Sequence, residues 1–176
     1  MRKLKNEELG RPDLEEYKKE KKIPLVIILD NIRSMNNIGS VFRTADAFKA
    51  EEIYLCGITA TPPHKDIHKT ALGATESVRW KYTESTLEAI KELKSKGYTV
   101  VSVEQAVGSF MLNDFEINPG ARYAVIFGHE VRGVDQEVVD QSDHVLEIPQ
   151  FGTKHSLNIS VCAGIVIWEF FNKLNK

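Results

Sequence analysis

Residues 24–29 read PLVIIL, an uninterrupted apolar run rich in β-branched side chains. A short run of this composition is typical of a strand that is buried on both faces, as in a parallel sheet. On either side of this run, strand and helix patterns alternate, which indicates an α/β domain with a mainly parallel sheet flanked by helices. The residues between 59 and 75 are predicted to be loop with one helical turn. The other predicted strands are 53–56, 98–103, 123–127 and 144–148, and the predicted helices are 12–17, 38–48, 85–96 and 156–174.

The composition predicts one globular domain. The chain has 176 residues, of which 42% are hydrophobic and 27% charged, so it can bury a core of ordinary size. We assign the polar, charge-rich residues 1–22 to a short N-terminal extension and residues 23–176 to the domain. The formal net charge of −2 is not that of a typical nucleic-acid-binding domain, which is basic. Any contact with RNA must therefore come from local basic clusters.

Cysteine usage and hydropathy predict a cytoplasmic protein that does not enter a membrane. Cys56 and Cys162 lie in apolar runs with no second cysteine nearby, as core cysteines do in reducing compartments. The first residues lack the apolar stretch of a signal peptide, and no segment has the apolar length that a bilayer requires.

Three loops that follow predicted strands combine polar residues with glycine: residues 29–39 (first loop), 127–133 (second loop) and 148–158 (third loop). Ligands of parallel sheets bind beyond the carboxyl ends of the strands, so these loops are the candidates for a functional site. The glycine patterns of dinucleotide-binding and P-loop proteins are missing. His64 and His68 are four residues apart but lack the HExxH glutamate and a third ligand, so we predict no metal site.

Together, these loops resemble the three motifs of the SpoU/TrmH-type RNA 2′-O-ribose methyltransferases of the SPOUT superfamily. The first motif is residues 37–47 (NIGSVFRTADA), the second is residues 128–133 (GHEVRG), and the third runs from IP at 148–149 to SLNISV at 156–161. Residues 69–74 (KTALGA) are also similar to the family, and the resemblance spans roughly residues 24 to 171. It implies S-adenosylmethionine as cofactor, RNA as substrate, and a C-terminal trefoil knot that holds the cofactor.

The resemblance also implies the roles of individual residues. Arg43 would be the principal catalytic residue, and because a guanidinium stays protonated, it is better suited to binding a phosphate and stabilising an alkoxide than to acting as a base. Ile148 and Leu157 would form an apolar slot for adenine. The implied catalytic set is Arg43, Asn37, Glu130, Ser156 and Asn158, and the implied cofactor-binding set is Gly128, Ile148, Leu157, Ser156 and Asn158.

Each of these residues also has a purely structural interpretation. Asn37, Ser156 and Asn158 are suited to capping helices, and Glu130 to a cap or an ion pair. Arg43 can pair with Asp46 three residues on. Gly128 can serve a turn, and Ile148 and Leu157 can be ordinary core residues. His129 is given no role.

The RNA substrate is predicted from the size of the chain and its basic residues. Longer members of the family carry a separate N-terminal RNA-binding domain, for which residues 1–22 are too short, and for a compact member we favour tRNA over rRNA. Two other functions compete: a catalytically silent RNA-binding protein of the same fold, and an unrelated doubly wound nucleotide-binding domain. The complete set of motif residues favours the enzyme. Candidates for phosphate contacts are Arg33, Lys65, Lys69, Arg79, Lys81, Lys154 and residues 18–22.

The closing helix predicts a homodimer without help from the family. Residues 161–171 read VCAGIVIWEFF, with Glu169 as the only charge. A helix that is apolar all round must be covered on both sides, and the sheet covers only one. Residues 12–22 could fold back over it, but they offer only Leu14 and Tyr17. We therefore expect a two-fold partner, with Trp168 or Phe171 in the contact.

Overall fold

A computed structural model describes residues 1–175 of the chain. Its strands are β1 (Ile23–Asp30), β2 (Ala50–Cys56), β3 (Trp80–Thr83), β4 (Tyr98–Val103), β5 (Phe110–Met111), β6 (Arg122–Phe127) and β7 (His144–Glu147). Its helices are α1 (Leu14–Lys19), α2 (Met35–Ala47), α3 (Lys65–Ala71), α4 (Ala74–Ser77), α5 (Thr86–Ser95), α6 (Gln136–Gln141) and α7 (Ile159–Leu174).

The seven strands form one parallel sheet in the order β3-β2-β1-β6-β4-β7-β5, with helices on both faces. β1 alternates between two cores: Leu25, Ile27 and Leu29 face the core that α2 and α7 complete. Val26 and Ile28 face the core that α5 and α6 complete. The predicted α/β fold with a mainly parallel sheet is confirmed, and β1 is buried on both faces as its composition indicates.

Several elements differ from the prediction. β3, β5 and α6 were not predicted, because β3 and β5 are short strands near the sheet edges and α6 is a short helix with few apolar residues. The expectation of a loop with one helical turn between 59 and 75 is wrong, since α3 and the start of α4 lie there, and Ile67 and Ala71 bury one side of α3. α7 begins at Ile159 and not at residue 156.

The beginning of α2 corrects one interpretation of Asn37. The helix begins at Met35, and the Ser34 hydroxyl caps it by accepting a hydrogen bond from the Asn37 backbone N–H at 3.3 Å. Asn37 is therefore inside the first turn and is not the N-cap residue, which leaves its side chain available for other contacts.

α2 and α7 run side by side in the same direction. Their amino ends meet where the Asn37 and Asn158 side chains are hydrogen-bonded, and near their other ends the Phe48 ring lies 5.3 Å from those of both Trp168 and Phe171. Both helices therefore begin at the edge of the sheet where the strands end.

The outer side of α7 stays exposed. Tyr17 of α1 is buried and donates a hydrogen bond to the Asp46 carbonyl oxygen at 2.8 Å, which places this segment at the end of α2. Val161, Ile165 and Trp168 keep 52%, 39% and 49% of their surface exposed, so residues 12–22 do not cover them. We call these three residues the α7 stripe. None of the helices within residues 1–175 is long and apolar enough to cross a membrane. The implied trefoil knot stays a prediction.

Candidate active site

A cavity of about 540 Å³ opens at the carboxyl ends of β4, β6 and β7. Its volume is in the range of small-molecule sites. It lies beyond the carboxyl ends of the strands, where parallel sheets bind their ligands. The residues that follow β4, the second loop and the third loop form its walls. All five residues predicted to bind a cofactor line it: Gly128, Ile148, Ser156, Leu157 and Asn158.

Glu130 connects the second loop to the beginning of α2. Its carboxylate accepts hydrogen bonds from the backbone N–H groups of Arg33 at 3.0 Å and Ser34 at 2.9 Å, and from the Asn37 side-chain amide at 3.2 Å. Partial burial works against the charged form, but the donated hydrogen bonds outweigh it and hold the pKa of Glu130 below its ordinary value. Glu130 is therefore a carboxylate at neutral pH, and its oxygens are already engaged.

Asn158 connects the third loop to the same network. Its side-chain nitrogen donates to the Asn37 side-chain oxygen at 3.2 Å. Its own oxygen accepts hydrogen bonds from the backbone N–H of Ser160 at 2.9 Å and the Ser160 hydroxyl at 2.7 Å, and so caps α7. The predicted capping role is confirmed, and one continuous set of hydrogen bonds now joins residues from all three motifs.

Arg43 is outside this network. It lies on the exposed side of α2, along with Asn36, Ser40 and Ala47, and does not line the cavity. The predicted ion pair with Asp46 is not formed; that carboxylate instead accepts a hydrogen bond from the Ser77 hydroxyl. Within residues 1–175, the Arg43 guanidinium has no acidic partner, so it is available to a ligand from outside.

The second loop folds tightly on itself. A Cβ atom at Gly128 would lie 2.3 Å from the Gly133 carbonyl carbon and the Val134 nitrogen, so the turn itself requires glycine there. His129, which sequence reasoning gave no role, is buried, and its Nδ1 accepts the backbone N–H groups of Val131 at 3.0 Å and Arg132 at 3.3 Å. Both residues thus shape the wall of the cavity.

Sequence reasoning missed two residues that follow β4. Glu104 lines the cavity and accepts hydrogen bonds from the backbone N–H groups of Gln105 at 2.8 Å and Val134 at 2.9 Å. Gln105 donates from its side chain to the His155 carbonyl oxygen at 2.6 Å, which anchors the third loop. The sequence did contain a signal for these two residues, because they directly follow the predicted strand 98–103. Ligands of parallel sheets bind beyond the carboxyl ends of the strands, and this applies to that strand as well.

The charges around the cavity suit a cationic small molecule. Three carboxylates, those of Glu104, Glu130 and Glu147, line it against the single guanidinium of Arg132, while Ile148, Leu157 and Ile159 supply apolar surface. A larger groove of about 830 Å³ at the amino ends of the strands contains none of the predicted catalytic or cofactor-binding residues, although Arg79 and part of the 18–22 segment line it. Opposite charges pair across this groove, such as Lys49 and Glu20 at 2.7 Å. We therefore place the candidate site at the smaller cavity.

Of the two histidines near α3, His64 has a structural explanation. Nδ1 of His64 accepts a hydrogen bond from the Asp66 backbone N–H at 3.2 Å and so caps α3. In the part of the chain that the structure describes, no group of three or more His, Cys, Asp or Glu side chains could hold a metal ion.

Some of the predicted basic residues are paired, and Lys22 of the 18–22 cluster instead donates to the Tyr17 carbonyl oxygen. Lys81 is paired with Glu92, Arg79 with Glu51 and Lys18 with Glu15. A second group is exposed and has no acidic partner within residues 1–175. This group is Arg33, Lys65, Lys69 and Lys154.

Comparison of the sequence with known proteins gives independent evidence of the family. Residues 24–168 match the SpoU rRNA Methylase family. A protein of Staphylococcus saprophyticus, assigned to the TrmH family of tRNA/rRNA methyltransferases, is 28% identical over 161 residues. That alignment covers 91% of this chain but 63% of the relative, so the chain spans less than two thirds of the relative's length.

Solved structures show the same fold. The AdoMet-bound rRNA methyltransferase of Sinorhizobium meliloti is 26% identical, with a TM-score of 0.79 over 92% of this chain and 60% of that one. A structure concerned with the 2-OH methylation of C/U34 on tRNA is 25% identical, with a TM-score of 0.75 over 86% of this chain and 96% of that one.

Proposed function

The chain belongs to the SpoU rRNA methylase family, and from that membership we propose that it transfers a methyl group from S-adenosylmethionine to a ribose 2′-hydroxyl of RNA. The observation that carries the proposal is the contact between Glu130, Asn37 and Asn158, one residue from each motif. These residues are 93 and 121 positions apart along the chain, and the contact lies at the rim of a cavity of suitable size. The same network argues against a catalytically silent RNA-binding protein, because binding RNA does not require it.

The cavity fits S-adenosylmethionine. Ile148 and Leu157 would lie against the adenine, and the carboxylates of Glu104, Glu130 and Glu147 favour a ligand with a positive sulfonium and ammonium group. The Sinorhizobium meliloti relative has AdoMet bound in its solved structure, which supports the same cofactor for this chain. When bound, the cofactor supplies a methyl group that is already activated by its sulfonium, so the protein needs mainly to align the ribose and exclude water. No metal ion is needed for this chemistry.

Glu130 is better suited to positioning than to proton transfer. Its lowered pKa makes the carboxylate a weak base, and three N–H donors already occupy its oxygens. It therefore fixes Asn37 and the first turn of α2 relative to the cavity. Asn37 in turn orients Asn158, and Ser156 next to it is exposed and free to donate to the ribose.

Arg43 is proposed to act on the RNA. A guanidinium that is exposed and unpaired within residues 1–175 can bind a backbone phosphate in a bidentate manner and stabilise negative charge on the ribose oxygen. It is not suited to removing the hydroxyl proton, because a guanidinium stays protonated in proteins.

We further propose a homodimer formed through the α7 stripe. Val161, Ile165 and Trp168 are spaced four and three residues apart and form one exposed apolar side of a 16-residue helix. A two-fold contact buries such a surface against itself. Because α2 and α7 lie side by side, Arg43 on the exposed side of α2 would then be close to the interface.

The substrate is proposed to be tRNA in preference to rRNA, with the cytoplasm as the site of action. The tRNA preference is supported by the tRNA-related structure, which is matched over 96% of its length. The cytoplasm is supported by the two free cysteines.

Methyl transfer can be tested with tritiated S-adenosylmethionine and separate pools of unmodified tRNA and rRNA. We expect label in the tRNA pool. Leu157→Asp should abolish it, because a carboxylate in the adenine slot is costly to desolvate and removes the apolar surface on which the adenine would pack. Label in neither pool, or full activity in a folded Leu157→Asp variant, would contradict the proposal.

A further inference from the structure

We propose that Phe151 is a stacking platform for an unpaired nucleobase at the mouth of the cavity, so that the target nucleotide is taken from single-stranded or looped RNA and not from a duplex. The inference rests on the proposed function, because it presumes that RNA is the substrate. It adds a specificity residue and the structural class of the RNA.

The third loop presents Phe151 at the rim of the site. Gln150 and His155 line the cavity, whereas residues 151–154 between them do not and are exposed. The loop is held on both sides of this tip: it follows β7 directly, and the His155 carbonyl oxygen accepts a hydrogen bond from Gln105 at 2.6 Å. The segment that carries Phe151 is therefore tethered next to the cavity, and Phe151 is not part of the cavity wall.

The Phe151 ring does not pack into the protein core. Phe151 is 98% exposed, and within residues 1–175 it contacts no other aromatic ring. Phe110 shows the contrast: it is also exposed in part, but its ring packs 5.9 Å from Phe115 and 5.7 Å from His144. A single exposed apolar side chain is common on protein surfaces, so exposure alone does not indicate a binding role for Phe151. The case for such a role depends on the location of the ring and on the charged side chains of the nearby loops.

The loops around the mouth of the cavity carry unpaired basic side chains that can bind phosphates, whereas the carboxylates of Glu104, Glu130 and Glu147 line the cavity itself. Lys154 is on the same loop, Arg132 is on the second loop that forms the facing wall, and Arg33 donates its backbone N–H to Glu130 at the rim. All three side chains are exposed and have no acidic partner within residues 1–175, in a chain whose net charge is −2. An exposed aromatic ring with unpaired cations on its own and neighbouring loops is an arrangement by which proteins hold unstacked bases, with the cations on the phosphates.

The geometry of stacking selects unpaired RNA. A phenylalanine ring can stack only on a base whose face is free, and in a duplex both faces are covered by neighbouring bases. The occupant of the Phe151 surface is therefore a base of a loop or a single strand.

The test uses a fluorescent reporter at the same position. Phe151→Trp keeps an aromatic ring, and its emission should fall when a 17-nucleotide RNA hairpin with an unpaired loop is added in the absence of cofactor. A blunt RNA duplex of equal length should not change it at the same concentration. The wild type, which has Trp80 and Trp168, gives the background emission change to subtract.

Binding and turnover complete the test. Phe151→Leu removes the aromatic face but keeps an apolar side chain, and we expect roughly 5- to 100-fold weaker binding of the hairpin and a higher KM for RNA, with unchanged affinity for S-adenosylmethionine. Phe110→Leu is the matched control, and it should bind the hairpin like the wild type.

The outcomes separate this inference from the proposed function. Wild-type binding of the hairpin by Phe151→Leu, or equal quenching by the duplex, would overturn the stacking role and leave the methyltransferase proposal intact. A halved solution mass for Phe151→Leu would also overturn it, since Phe151 would then belong to a contact between two copies of the chain. Quenching by the hairpin without any methyl transfer by the wild type would support the stacking role and count against the proposed function.

Discussion

At Glu130, three N–H donors converge on one exposed carboxylate, and the lowered pKa has a measurable consequence. Because the folded pKa lies below the ordinary value of 4.5, the charged form stabilises the fold above that pH, and this contribution is lost as the pH falls through the folded pKa. Glu130→Gln should destabilise the protein by on the order of 1 kcal/mol at pH 7, because the amide group cannot accept all three bonds.

Urea unfolding at several pH values measures this difference. The gap in unfolding free energy between the wild type and Glu130→Gln should shrink below about pH 4.5. Glu116→Gln, at an exposed glutamate with no hydrogen bond within residues 1–175, is the control and should show no such change. A gap that is constant from pH 7 to pH 3 would show that the network does not depend on the charge of Glu130.

Arg43 is expected to serve the RNA and not the cofactor. Arg43→Ala should lower kcat by a hundredfold or more, on the scale of losing one group that stabilises developing charge, and leave S-adenosylmethionine affinity within a few-fold. Calorimetry and a turnover assay measure the two effects. Arg79→Ala, at an exposed arginine in the groove at the opposite edge of the sheet, should behave like the wild type. Wild-type turnover in Arg43→Ala, or loss of cofactor binding with the fold intact, would contradict the assignment.

Single residues differ in how far the sequence predicts them. The capping role of Asn158 follows from local rules, because a side chain and a nearby backbone N–H are enough to define it. The contact of Asn158 with Asn37 joins residues 121 positions apart, so only the family resemblance could have suggested that the two lie in one site. Neither local rules nor the family resemblance predicted a role for His129, because the two hydrogen bonds that its Nδ1 accepts depend on how the second loop bends.

The helices and strands that carry long apolar patterns were predicted, and those that do not were missed. β1 is buried on both faces along its length, and its composition is sufficient to identify it. β3 pairs only with β2, at the sheet edge, and keeps two polar residues in four, so its conformation is set by the neighbouring strand more than by its own sequence. α3 lies close to prolines that favour a loop prediction, although its Ile67 and Ala71 show the spacing of one helical side.

The contact of α2 with α3 gives a prediction for packing. A Cβ atom at Gly39 would lie 2.1 Å from the Thr70 hydroxyl oxygen and 2.3 Å from the Ile67 carbonyl oxygen. The carbonyl belongs to the α3 backbone and cannot rotate away, so Gly39→Ala should destabilise the protein by about 1–3 kcal/mol through overpacking. Ser40→Ala, on the next residue of the same helix, should change stability by less than about 0.5 kcal/mol. Thermal unfolding of both variants measures this, and equal stabilities would contradict the close packing.

For the whole molecule, the α7 stripe predicts the assembly state. Light scattering at low micromolar concentration should report twice the 19.9 kDa mass of the chain. Trp168→Glu should produce a monomer, because it replaces the largest apolar side chain of the stripe with a charge. Lys173→Glu on the same helix is the control for added negative charge, since Lys173 is exposed and outside the stripe. A soluble wild-type monomer at that concentration would remove the basis for the dimer.

The central claim about the molecule is that it methylates the ribose of an RNA nucleotide. The most direct measurement is nucleoside mass spectrometry of unmodified tRNA after incubation with the protein and S-adenosylmethionine. We predict one nucleoside that carries the additional methyl group on its ribose, with its base unchanged on fragmentation, and no such product with Arg43→Ala. A methyl group on the base, or no methylated nucleoside from either tRNA or rRNA, would contradict the account.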